Sequence, residues 1–155
     1  MRRSVTPFLA ILVVGAVTAA IDIIYACSFN YFVNAVPPVR ILHYIAGGLI
    51  GVQTAIAGGA ATAALGLALH FFILIVAAGL YYAVSRRARF LVERPAIAGL
   101  VFGLGIWLTM NFIVLPLSAL GPQPITVTAS TVTNFLVHVL VLGPAIALGL
   151  RRLTR

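Results

Sequence analysis

Negative charge is almost missing from this chain. Asp22 and Glu93 are its only acidic residues, and its ten basic residues are all arginine, with no lysine. Charged residues make up 8% of the 155, against roughly 25% in a soluble domain. So few charges cannot cover a water-facing surface, which makes a lipid bilayer part of the solvent. The single cysteine, Cys27, excludes an intramolecular disulfide, and no CxxC or zinc-type spacing offers a metal site. Asp22 and Glu93 fall at different membrane depths, which removes a paired-carboxylate mechanism. GxSxG and HExxH are also missing, so nothing points to an enzyme. The net charge of +8 does not indicate nucleic acid, because the arginines cluster between apolar runs instead of covering a face.

What the chain has in abundance is apolar sequence, at 63% of residues. A helix that crosses a bilayer takes about 20 apolar residues at 1.5 Å each. Four segments meet that length, at about 7–29, 60–84, 96–115 and 132–150. Arg2 and Arg3 precede the first. Arg86, Arg87, Arg89 and Arg94 lie between the second and third, and Arg151, Arg152 and Arg155 follow the fourth. Four crossings put all three clusters on one side and only Arg40 on the other. The positive-inside rule makes the clustered side cytoplasmic. The expectation is an all-α, multi-pass bundle of four helices, one transmembrane domain over residues 1–155, in a bacterial inner membrane with both termini in the cytoplasm.

Two stretches admit more than one reading. Residues 38–52 place Ile41, Tyr44, Ile45 and Leu49 on one helical face, with Arg40, His43, Gly47 and Gly51 opposite. This pattern predicts a short amphipathic helix at the outer interface, His43 included, or a glycine-rich re-entrant loop. The start of the chain resembles a secretory signal, with Thr18-Ala19-Ala20 as a cleavage site and Ile24-Tyr25-Ala26-Cys27 as a lipobox. The apolar run continues through Ile23 and Ile24, however, which favours an uncleaved first span with a buried cysteine.

Small residues mark the packing faces. Gly99 and Gly103 form a GxxxG in the third span, and Gly59, Ala63, Gly66 and Ala77 share a face of the second. These faces could join helices of one chain, two copies of it, or a membrane-protein partner. Thr131 or Thr133 is placed to cap the last span, and Pro144 predicts a bend near residues 138–142.

An ionisable residue at membrane depth is a functional candidate by default. The candidates are Asp22, His70 and His138, joined by the polar Asn111 and Asn134. Counted from the nearest clustered arginine at 1.5 Å per residue, Asp22, His70, Asn111 and His138 lie about 28, 24, 25 and 20 Å deep. Each span therefore offers a polar group to nearly the same layer. Thr18, Asp22 and Tyr25 share one face of the first span, and Gly66 and His70 share a face of the second. Trp107 precedes Asn111 by one turn, and Thr131, Asn134 and His138 share a face of the fourth. A polar centre open toward the outside follows. An Asp–His pair there could hold or relay a proton, or act as a static lock. The asparagines read more simply as interhelical hydrogen bonds of around 0.6 kcal/mol each. His70 and His138 also admit a haem with two axial imidazoles, although no cofactor is otherwise implied.

The stretch LGLALHFFILIVAAGLYYAVSRRARFLVERPAIAGLVFGLGIWLTMNFIVLPL resembles the YagU-like bacterial inner-membrane proteins. The features that carry the likeness are His70 early in a span, a small-residue span after a basic loop, a span closing on Pro116, and His138 before an arginine-rich end. The likeness covers about two thirds of the chain. It implies a small multi-span inner-membrane protein and no activity. The functional expectation is an accessory or interaction protein. A proton-linked or small-solute site on Asp22, His70 and His138 is the alternative, and a haem-binding redox subunit a third.

Overall fold

The computed structural model describes residues 5–154, so Arg2, Arg3 and Arg155 of the terminal clusters lie outside it. Among the described residues seven helices form: α1 Pro7–Asn34, α2 Pro38–Ile50, α3 Val52–Ala57, α4 Gly59–Ser85, α5 Arg89–Glu93, α6 Pro95–Leu117 and α7 Ala129–Leu153. No strand forms among the described residues. The four long helices α1, α4, α6 and α7 are each long and apolar enough to cross a membrane. Large apolar side chains such as Phe8, Ile24, Phe72, Val101 and Leu117 point outward, as a lipid-facing belt requires.

The C-terminus of α1 and the N-terminus of α7 run past the limits expected from hydropathy, and polar residues close both ends. At the end of α1 the Asn30 side chain donates to the Ala26 carbonyl at 2.8 Å, and Asn34 donates to Asn30 Oδ1 at 2.9 Å. Ala35 then takes a left-handed conformation (φ 53°), and the Val36 N–H reaches back to the Asn30 carbonyl at 3.0 Å. At the start of α7 the cap is Thr128, not Thr131 or Thr133. Its hydroxyl accepts the Thr131 N–H at 3.2 Å, and Thr133 instead bonds to the Ala129 carbonyl at 2.7 Å.

The long helices pack in the order α6, α7, α1, α4. Glycine makes the close approaches possible. A Cβ on Gly99 would lie 2.6 Å from Pro144 Cα, one on Gly103 would collide with the His138 carbonyl, and one on Gly15 would lie 2.6 Å from Ile75 Cα. The GxxxG pair is thus engaged within a single chain. Near the arginine loop, Val14, Ala78, Tyr81, Ile146 and Leu150 form the main apolar core. Tyr81 donates to the Leu91 carbonyl at 2.9 Å, fixing α5 over this core, and the Val5 N–H bonds to the Leu153 carbonyl at 3.2 Å. Both ends of the described chain therefore meet the arginine loop at one end of the bundle, as an even number of crossings requires.

In the segment between the first two spans, the face that carries His43 is the one that packs on α4. His43, Ala46 and Gly47 are buried, and Gly66 on α4 leaves room for the Leu42 carbonyl. His43 Nε2–H donates to the Gly59 carbonyl at 2.9 Å, so His43 belongs to the bundle and not to its water-facing rim. Gly51, at φ 82°, ends α2 and lets α3 turn back. The Ala119 N–H donates to the Gly48 carbonyl at 2.8 Å and ties α2 to the end of α6. Protein thus covers the face of His43 and Gly47, whereas Tyr44 and Leu49 on the apolar stripe stay exposed. Cys27 is half-buried, not buried, with its sulfur 3.9 Å from the Pro38 carbonyl oxygen.

A candidate polar site in the membrane layer

A cavity of about 400 Å³ lies between α2 and the four long helices, and Asp22, His70, Asn111, Asn134 and His138 all line it. Asp22 comes from α1, His70 from α4, Asn111 from α6, and Asn134 with His138 from α7. Spacing along each helix placed these residues at one depth. The helix packing brings them to one space.

Local irregularity sets how α6 and α7 present their polar groups. Residues 110–114 and 138–142 form π turns, with Leu115 N–H bonding to the Met110 carbonyl and Gly143 N–H to the His138 carbonyl. Each begins six residues before a proline, Pro116 and Pro144. A proline cannot donate and its ring crowds the carbonyl four residues back, so widening the turn relieves both problems. The bend expected near 138–142 takes this form.

The polar groups fall into two sets. In the first, each side chain makes a hydrogen bond between or within helices. Trp107 Nε1–H donates to Asn134 Oδ1 at 3.1 Å, joining α6 to α7, and Asn111 Nδ2 donates to the Trp107 carbonyl at 2.8 Å. Tyr25 donates to Thr133 Oγ1 at 2.9 Å, joining α1 to α7. The second set keeps unused capacity. Asp22, 8% exposed, has Oδ2 at 3.7 Å from His70 Nε2, while its buried Oδ1 has no partner. His70 Nε2 lies 3.1 Å from the Ala19 carbonyl, and His138 Nδ1 lies 2.9 Å from the Asn134 carbonyl. A carbonyl only accepts, so these ring nitrogens carry hydrogens. A neutral His138 then keeps Nε2 as an acceptor.

Two further hollows adjoin this cavity toward the end of the bundle away from the arginine loop. One, about 550 Å³, is lined by Asn30, Arg40 and His43, and the other, about 350 Å³, by Tyr25, Ser130 and Thr131. Tyr44 and Asn134 line all three spaces, which places them between the outer hollows and Asp22. Toward the arginine loop the apolar core around Val14, Tyr81 and Ile146 closes the bundle. The cavity also lies between α4 and α6. These helices meet where Tyr81 packs edge-on to Phe102, with ring centres 5.0 Å apart. At cavity depth Leu69 and Ile73 on α4 and Met110 and Val114 on α6 line it.

Sequence reasoning missed the role of Tyr44, because its apolar stripe was assigned to lipid. It also missed the π turns, for which Pro116 and Pro144 were the usable signal, since a bend was expected at Pro144 alone. Among the described residues, no group of three or more His, Cys, Asp and Glu side chains is arranged to hold a metal ion. Of the two imidazoles considered for haem, His138 offers a free Nε2, whereas His70 Nε2 is held by the Ala19 carbonyl. Comparison with protein-family models, with curated proteins and with solved structures finds no match to this chain.

Proposed function

We propose that the protein is a proton-linked site for a small solute in a bacterial inner membrane, built on Asp22, His70 and His138. The carrying observation is the Asp22 carboxylate at membrane depth, with Oδ1 unpartnered and Oδ2 beside an imidazole on another helix, at the wall of a solute-sized cavity. An unsatisfied buried acceptor costs about 1–3 kcal/mol, more when charged. A purely structural role would avoid that cost, as the Trp107–Asn134 bond does. A volume of about 400 Å³ is within the range of small-molecule sites.

In this reading Asp22 and His70 change protonation together: the Nε2–H of His70 stays on the Ala19 carbonyl, and the proton that makes it an imidazolium enters at Nδ1. Either both groups are neutral, or the carboxylate pairs with an imidazolium. His138, on a third helix, offers a second acceptor to the same space. Exchange runs through the hollows past Tyr44 and Asn134, and the apolar core blocks it at the other end. The positive-inside rule places that closed, arginine-bearing end and both termini in the cytoplasm, so the site faces the periplasm. A YagU-like inner-membrane protein fits this setting and contributes no activity of its own.

Infrared difference spectroscopy tests the proposal in vesicles holding the protein in one orientation. The expected result is a protonated-carboxyl band that follows the pH on the Arg40 side, ignores the pH on the arginine-loop side, and vanishes in Asp22→Asn while circular dichroism is unchanged. A band that never titrates, or one driven from the arginine-loop side, refutes the reading.

A further inference from the structure

The solute class can be narrowed from the cavity walls, a step that rests on the proton-linked reading above. At the Asp22 end of the cavity two acceptors are free. Asp22 Oδ1 is unpartnered, and His138 Nε2 is an acceptor because Nδ1–H is committed to the Asn134 carbonyl. No arginine lines this cavity, and Arg40 lines only a neighbouring hollow. The other walls are mainly apolar, with Ile45, Leu69, Ile73 and Val114 among them. A carboxylate set among apolar walls selects a cation with an apolar body, and vacant acceptors select N–H donors.

We infer that the cavity binds a lipophilic amine as its ammonium ion, with N–H groups directed to Asp22 and His138 and the apolar body against Ile73 and Val114. In this inference such a molecule enters from the bilayer between α4 and α6, past Ile73 and Val114, a path that avoids Arg40. The titratable groups facing Asp22 are His70 on α4, His138 on α7 and Tyr44 on α2, while α6 contributes only the neutral Asn111. When Asp22 is the neutral acid, binding breaks its O–H bond. The proton leaves through the outer hollows, the carboxylate pairs with the ammonium, and one proton is released per amine bound.

The full chain in lipid nanodiscs, titrated with the fluorescent amine dansylcadaverine and corrected with empty nanodiscs, tests this. Saturable binding is expected, displaced by benzylamine but not by N-benzylacetamide, which has a similar apolar body and no charge. Asp22→Asn is expected to weaken binding at least about tenfold, as for loss of a charge-assisted hydrogen bond. Should Asp22→Asn fail to fold, Val114→Trp leaves the acid intact and is expected to slow association by narrowing the entry between α4 and α6. Equal displacement by the amide, or no saturable binding, overturns the ligand class. If the carboxyl band of Asp22 still titrates in that case, the proton-linked site survives. If the band is absent too, both fall.

Discussion

Two glycines on α6, two residues apart, offer a controlled test of how the bundle is held. Gly103 presses on α7, where an added Cβ would collide with the His138 carbonyl and lie 2.9 Å from Val139 Cα. Gly105 has nothing within 4 Å of the same added atom. Alanine at either position gains up to about 1 kcal/mol of helix propensity, so this gain cancels in the comparison. The difference that remains is overpacking, typically about 1–3 kcal/mol. Backbone atoms supply the contact at Gly103, and no rotamer change can relieve it. The upper part of that range, about 2–3 kcal/mol, therefore applies. At 1.4 kcal/mol per tenfold, Gly103→Ala should shift the unfolding equilibrium roughly 30- to 140-fold relative to Gly105→Ala.

The assay is denaturation in mixed detergent, followed by the fluorescence of Trp107, the only tryptophan. Trp107 sits one turn from Gly103 and bonds to Asn134 on α7, so its emission reports separation of these two helices. Gly105→Ala should be neutral or slightly stabilising. If the two variants unfold together, α6 and α7 do not approach through Gly103, and the position of His138 derived from that approach fails with it.

Two further outcomes follow from the same interface. Trp107→Phe removes the N–H that Asn134 Oδ1 accepts. A double-mutant cycle with Asn134→Ala, followed by circular dichroism, should give a coupling of around 0.6 kcal/mol and at most about 1.7; a coupling of zero refutes the bond. Pro144→Ala restores an amide able to donate to the Leu140 carbonyl, so the π turn at residues 138–142 should relax to α-helix. Hydrogen exchange at position 144 should then be slow, and fast exchange there means that something other than Pro144 holds the wide turn.

The four long helices were legible because hydropathy and length act on each segment alone. The shared depth of Asp22, His70, Asn111 and His138 was legible for the same reason, since rise per residue is fixed. Partner choice was not. His43 and Gly47 look like the wet face of an amphipathic helix, yet they bury against α4 because Gly66 admits the Leu42 backbone there. That depends on a glycine about twenty residues away, which no local period reports. The same holds for Thr128, whose capping role is set by where α7 must begin to reach Tyr25 and Asn34. The Asn34 side chain donates to Ser130 Oγ at 3.1 Å, close to the first turn of α7.

The π turns also explain how α7 can serve both core and cavity. Asn134, His138, Leu142, Ile146 and Leu150 are spaced by four, and the last four of these are buried. In an α-helix residues four apart drift by about 40°, so four such steps would carry Leu150 about 160° away from Asn134. A stripe that began facing the bundle would end facing lipid. The wide turn at residues 138–142 takes up part of that rotation and keeps the stripe inward. On α6, Gly99, Gly103, Trp107, Asn111 and Leu115 repeat the same spacing, with a π turn at residues 110–114. Facing stripes of this kind put glycine where two backbones must touch and polar groups where they part. Pro116 and Pro144 therefore shape the site without lining it, by setting where each helix widens its turn.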